Sequence, residues 1–197
     1  MMKKSLIVIA ALFILGLVVT ISGYNKIQTL DESTKASASE IINQYKRRAD
    51  LINNLVYTVK GYAQHEQEIF IKVTQARSKV GQININAASL TDEAVMQQYQ
   101  QAQNELSSQL SRLLLVTENY PDLKASELYK GLMAQLEGTE NRIAVARGRY
   151  IDTVKEYNTL LRQFPYVMIA YAMNYQPKAQ FTVADENIDQ APKVNFN

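Results

Sequence analysis

The single histidine of the chain, His65, opens the run His65-Glu66-Gln67-Glu68, which begins like the HExxH pattern of zinc proteases. In that pattern two histidines one helical turn apart place both imidazoles on one metal. Position 69 is isoleucine and there is no second histidine, so the pattern lacks its second ligand and His65 reads as an exposed helix residue. The absence of cysteine removes thiol nucleophiles, disulfides, iron–sulfur ligation and structural zinc. Carboxylate, lysine or tyrosine chemistry is what remains, and none of these has a recognisable spacing. No metal and no cofactor is expected, and the residues name no reaction.

Four charged residues stand out by position. A helical wheel at about 100° per residue puts Ile52, Leu55, Val56, Val59, Ala63 and Phe70 on one side, with Arg48 and Glu66 inside the same arc. Further along, Glu140, Arg147 and Asn158 flank another apolar stripe. Antiparallel packing of the two segments would allow Arg48 to meet Glu140 and Glu66 to meet Arg147, and inward charges need such partners. The four residues are therefore expected as a polar network that fixes helix register; a polar binding cleft is the functional alternative.

The elements that would position these residues are helical. Seven Gly and four Pro in 197 residues are too few for a turn-rich sandwich or barrel, and the composition reads as all-α. Leu6 to Ile21 carries no charge, and Ser5 through Tyr24 is about 20 residues, enough to cross a hydrocarbon core of roughly 30 Å. Lys3 and Lys4 precede this span; Tyr24 and Lys26 follow it. Residues 5–24 are read as one transmembrane anchor, with a cleaved signal peptide as the alternative. The slight basic bias of the short leading flank favours the bulk of the chain lying outside the cytoplasm.

From residue 27 to 80 the chain has no Pro, and Ile27, Leu30, Ile41, Tyr45, Ile52, Leu55, Val59, Ala63, Phe70 and Val73 recur at helical intervals. One long helix is expected there, continuing the anchor with a bend near Gly23 or Asp31-Glu32-Ser33. Residues 81–88 read as a loop. Ser89-Leu90-Thr91-Asp92 resembles a capping box, starting a second helix that runs to about Asn119. Its Gln97, Gln98, Gln100, Gln101, Gln103 and Asn104 read as a solvated face. Tyr120-Pro121-Asp122 breaks the pattern. A third helix follows from about Lys124 to Phe164, with Leu128, Leu132, Leu136, Ile143, Tyr150, Val154, Tyr157, Leu161 and Phe164 on its apolar side. Tyr166 to Tyr175 is too short to span a bilayer and reads as a last helix packed on the bundle, or as a membrane-surface contact. The expected architecture is an antiparallel bundle of three to four long helices over residues 27–175, preceded by the anchor and followed by an extended or disordered tail, 176–197.

The partners implied are a lipid bilayer through the N-terminal helix and other proteins of the bacterial envelope, or a homo-oligomer of the chain itself. Nucleic acid is not expected, because 21 basic against 19 acidic residues leave a net charge of only +2. Lys46-Arg47-Arg48 is the one short basic cluster, read as a solvated or internally paired face.

Longer strings in the sequence are those of a known family. Arg47-Arg48-Ala49-Asp50-Leu51-Ile52-Asn53-Asn54-Leu55-Val56, then Val59-Lys60-Gly61-Tyr62-Ala63 and His65-Glu66, resemble the first-helix signature of the LemA family of membrane-anchored bacterial proteins. Glu118 through Ala125, Glu137 through Ile143, Ala146-Arg147, Tyr150, Tyr157-Asn158 and Phe164-Pro165 follow in the family's order. Asn53 stands where the family usually has a proline, and the tryptophan often found before the double arginine is missing. The resemblance implies one N-terminal membrane helix and a helical bundle. It implies no enzymatic reaction, and some relatives are linked to magnetosome membranes. Three functions fit: a membrane-tethered interaction or scaffold protein, an enzyme or accessory subunit using the Arg48, Glu66, Glu140 and Arg147 cluster, and lipid binding by residues 166–175.

Overall fold

A computed structural model describes residues 2–181. The order of elements is α1 Met2–Tyr62, α2 Gln67–Gln82, a single 3-10 turn Ser89–Thr91, α3 Glu93–Thr117, α4 Pro121–Ala125, α5 Glu127–Leu160 and α6 Tyr166–Ala172. The described residues contain no strand. The fold is the expected all-α bundle with an apolar helix at its N-terminus.

Helix α1 is 61 residues long, about 90 Å at 1.5 Å per residue. It passes without interruption through Gly23, through Asp31-Glu32-Ser33 and through Asn53, so the apolar span and the first bundle helix are one helix, as expected, with no fray between them. With asparagine at position 53, every backbone N–H needed by the helical ladder is present there.

The first helix nevertheless stops earlier than its periodicity suggested. Helix α5 begins only at Glu127, level with the end of α1, so a straight helix to residue 80 would carry Phe70, Val73, Ala76 and Val80 past the last available partner. The chain turns instead. Ala63 N–H donates to the Val59 carbonyl at 2.9 Å and Glu66 N–H to the Ala63 carbonyl at 3.1 Å, and α2 runs back down with those four residues buried. Two other boundaries also move. Helix α3 is capped by Asp92, whose Oδ1 accepts from Val95 N–H at 3.0 Å, while Ser89 lies inside the 3-10 turn that precedes it. The third helix is divided at Ser126, whose extended backbone (φ −61, ψ 127) separates the Pro121-initiated α4 from α5.

Helix α5 descends antiparallel to α1 along most of its length. Ser37 faces Thr153 with their hydroxyls 2.9 Å apart, Arg149 Nη1 lies 2.9 Å from Glu40 Oε1, and Arg48 reaches Glu140. Helices α2 and α3 form a second antiparallel pair that covers only the end of the molecule far from the anchor. The main core lies there, built on Ile52, Leu55, Val59, Val73, Leu106, Leu113 and Ile143 among others. A smaller, separate core of Ile27, Tyr157, Leu160, Leu161 and Ala170 sits just above the apolar span. Leu128 and Phe164, expected on the buried stripe of the third helix, are 63% and 79% exposed.

The expected tail begins as a docked segment. Asn174, with φ 55, lies in the left-handed region that asparagine tolerates best after glycine, and the chain then climbs back between α1 and α5. Asn158 clasps Lys178 twice, Nδ2 to its carbonyl at 2.9 Å and Oδ1 from its N–H at 2.8 Å. Ala179 N–H donates to the Thr91 carbonyl at 2.9 Å, and the Phe181 ring is buried edge-on against Tyr150. Residues 182–197, the rest of the expected tail, lie outside the described residues.

Candidate functional site: a buried arginine layer beside an open cleft

Arg48 is 4% exposed although it follows two exposed basic residues, Lys46 and Arg47. Helical phase explains this: Arg48 lies four residues before Ile52 and three after Tyr45, on the inward face of α1. Its Nη1 donates to Glu140 Oε1 at 3.2 Å and to Ser107 Oγ at 3.1 Å. Its Nη2 donates to the Gln103 carbonyl at 3.3 Å and to the Gln103 side-chain oxygen. The guanidinium also lies 5.1 Å from the centroid of the Tyr45 ring, which packs edge-on against Tyr99. Three helices, α1, α3 and α5, thus meet in one polar layer.

The layer borders a cleft of about 790 Å³ between α1, the end of α2 with its following loop, and α3. Tyr45, Tyr99, Lys46, Asp50, Arg77 and Ile85 are among its lining residues. Arg77 is held by its Nε, which donates to the Ala49 carbonyl at 3.2 Å. Burial raises the Tyr45 phenol and pushes the Tyr99 phenol up to about 12, so both stay protonated at neutral pH and pack as neutral rings. Among the described residues no group of three or more His, Asp or Glu side chains comes together.

Of the four charges singled out in the sequence, the structure brings two together. Arg48 and Glu140 form the ion pair described. Glu66 lies at the distal turn as the residue before α2. Arg147 is two helical turns past Glu140 toward the anchor, with its guanidinium 4.8 Å from the Phe181 ring centroid. On antiparallel helices their separation is a consequence of register: with Arg48 opposite Glu140, position 66 lies beyond the start of α5 while Arg147 lies below. His65 is exposed, as expected, but it stands in the turn between α1 and α2 and not on a helix.

Gln103 and Ser107 were missed, because a glutamine inside a glutamine-rich tract reads as solvated. The signal was in the phase, since Tyr99, Gln103, Leu106 and Leu110 fall on one helical stripe, and Gln103 is 3% exposed. A second missed group lies lower down. Lys178 Nζ is 2.5 Å from Asp31 Oδ1, and Lys35 Nζ is 2.7 Å from Asp31 Oδ2. Burial by itself would raise the Asp31 carboxyl, but the hydrogen bonds and charges of these two lysines outweigh it and hold the pKa below its ordinary value. No spacing rule links residues 31 and 178.

A helix that runs unbroken from an apolar span into a helical bundle defines a membrane-associated helical-bundle protein. The model described as the LemA family matches residues 37–196, and this chain belongs to the LemA family. It is 25% identical over 196 residues, 90% of this chain and 71% of the relative, to Magnetosome protein MamQ 2 of Paramagnetospirillum magneticum. It is 23% identical over 171 residues, 78% of this chain and 62% of the relative, to Magnetosome protein MamQ of Magnetospirillum gryphiswaldense. Protein LemA of Metamycoplasma hominis is 28% identical over 135 residues, 68% of this chain and 54% of the relative. The family match extends past Pro165 and takes in the docked segment Gln176–Phe181.

Proposed function

We propose that this chain is a membrane-tethered, non-catalytic interaction or scaffold protein of the bacterial envelope. It crosses the cell membrane once through residues 5–24 and holds its bundle on the extracytoplasmic side. The observation that carries this reading is α1 itself. The apolar span and the helix that contributes the largest share of the core are one uninterrupted helix, so the bundle stands on its anchor without a flexible linker. From Gly23 to Tyr62 such a helix extends about 58 Å, which presents the distal turn and the flanks of α2 and α3 at a fixed height above the bilayer. Lys3 and Lys4 on the short leading flank support the orientation.

In this reading the Arg48 layer is structural. Arg48 Nε is buried without a protein partner, costing on the order of 1–3 kcal/mol that an apolar layer would avoid. What the layer supplies in return is register among α1, α3 and α5, because only one alignment gives the guanidinium its acceptors.

The test uses the absence of native cysteine. Gln135→Cys, at an exposed position of α5, is labelled in intact cells with a membrane-impermeant maleimide, and the same cells are crosslinked. Labelling in the membrane fraction together with repeatable crosslinked species is the expected outcome. Labelling only after lysis reverses the orientation, labelled protein outside the membrane fraction means a cleaved anchor, and recovery of monomer alone removes the scaffold reading.

A further inference from the structure

Helix α6 is apolar on every side. Tyr166, Ile169 and Ala170, spaced i, i+3, i+4, form one face and turn toward α1; Ala170 is 5% exposed. The opposite face is Val167, Met168 and Tyr171, exposed at 42%, 63% and 90%, and Phe164, in the turn that leads into the helix, is 79% exposed. No residue of Tyr166–Ala172 is charged. A helix hydrophobic all round belongs in an apolar surrounding, yet half of this one has no described residue packed against it.

Its position tells what that surrounding is. A side chain added at Gly23 would run into Ile169 Cδ1 and the Tyr166 ring, so the absence of a Cβ there lets α6 dock where the uncharged span of α1 ends. Just above, Tyr175 bonds Gln28 through its hydroxyl, and Lys26 Nζ lies 5.8 Å from the Tyr166 ring centroid. The outward face of α6 therefore starts at the level where the lipid-facing residues of the anchor stop, and continues their apolar surface sideways. The surrounding charge matches. No acidic residue precedes Asp31, and none occurs from Tyr157 to Phe181, while Lys26 and Arg162 lie exposed in these stretches.

We propose that α6, with Phe164 in the turn before it, is a membrane-interface collar: Phe164, Val167, Met168 and Tyr171 insert into the headgroup and acyl boundary of the bilayer that α1 crosses. Its aromatic residues fit that depth, where rings with one polar end are favoured. The apolar face of an interfacial helix is buried about 5–10 Å into this boundary. With a span and a collar attached to the same base, the bundle has two points of membrane contact and a fixed tilt. The collar rests on the reading of residues 5–24 as a bilayer span, and the experiment separates the two.

The chain has no tryptophan, so one introduced tryptophan reports its own surroundings. Phe13→Trp in the anchor, Tyr171→Trp in α6 and Tyr57→Trp on the distal bundle, where the native tyrosine is 69% exposed, are each placed in the full-length chain in phosphatidylcholine vesicles. Emission is read with and without lipids brominated at shallow or deep acyl positions. The collar predicts that Tyr171→Trp emits blue-shifted relative to Tyr57→Trp and loses at least roughly half its emission to shallow bromines, while Phe13→Trp responds most to deep ones. Water-like, unquenched emission from Tyr171→Trp beside a quenched Phe13→Trp overturns the collar and leaves the span intact. Blue-shifted emission that bromines do not quench also overturns it, in favour of a second protein surface covering α6. An unquenched Phe13→Trp overturns span and collar together.

Discussion

Around Leu55, α1 is enclosed by helices from both antiparallel pairs, and its side chain is 1% exposed. Around Ile27, the end of α5, the short α6 and Tyr175 just beyond it close over the same helix, and Ile27 is 0% exposed. The distal core buries its apolar surface against protein on all sides. The basal core buries Ile27 by placing α6 over it, and α6 then turns Val167, Met168 and Tyr171 outward, next to the exposed Phe164. The distal core is closed by helices alone; at the basal end the exposed apolar surface is carried one layer out, beside the uncharged span of α1. In the reading proposed above, one helix serves two solvents because the element at their boundary is apolar on both faces.

The sharpest way to break this contrast is to remove packing at each end. Leu55→Ala is expected to lower global stability by about 3–4 kcal/mol, read by urea denaturation followed by far-UV circular dichroism, equally in detergent and in lipid vesicles. Arg48→Ala should cost about 3 kcal/mol, because it empties a buried position and strands Gln103 and Ser107. Arg48→Met should lie within about 1 kcal/mol of the native chain if the layer supplies register more than stability, and the same denaturation measurement decides. An equally large loss in both variants would mean the charge itself holds the distal end together.

At the basal end the effects should be local. Ile27→Ala is expected to raise hydrogen exchange of amides in residues 157–175 by about thirtyfold, or about 2 kcal/mol of local opening, with amides around Leu55 unchanged. If both regions respond alike, the two cores are one cooperative unit.

The smallest effect concerns the docked segment 176–181. Because the folded Asp31 carboxyl has a lowered pKa, the stabilisation it provides is complete above the ordinary value of 3.8 and is lost as pH falls through the folded value below that. The ion pair with Lys178 is partly exposed, so less than about 1 kcal/mol is at stake. Protection of the Ala179 amide, corrected for intrinsic exchange, should fall severalfold over that acid range. Asp31→Asn should show the lower protection already at neutral pH.

Much of this was written in the order of residues. The uncharged run Leu6–Ile21, the scarcity of Gly and Pro, and the spacing from Ile27 to Val73 determined an apolar span followed by long helices, because span length and helical phase are local properties. The inward phase of Arg48 and the place of Glu140 beside an apolar stripe were legible for the same reason, and so was the need of Arg48 for an opposite charge. Tertiary structure decided where the helices stop and who meets whom. The apolar stripe runs through Ala63–Glu66 without a change of phase, so periodicity alone does not mark the turn; the length of α5 does, by setting how far partners reach. Glu66 looked as inward as Arg48, but the register of α5 left Arg147 below it. Gln103, Gly23, and the pairing of Asp31 with Lys178 across 147 positions acquire meaning only when distant segments are brought to one level, since a close approach or an ion pair depends on distance in space and leaves no period in the chain.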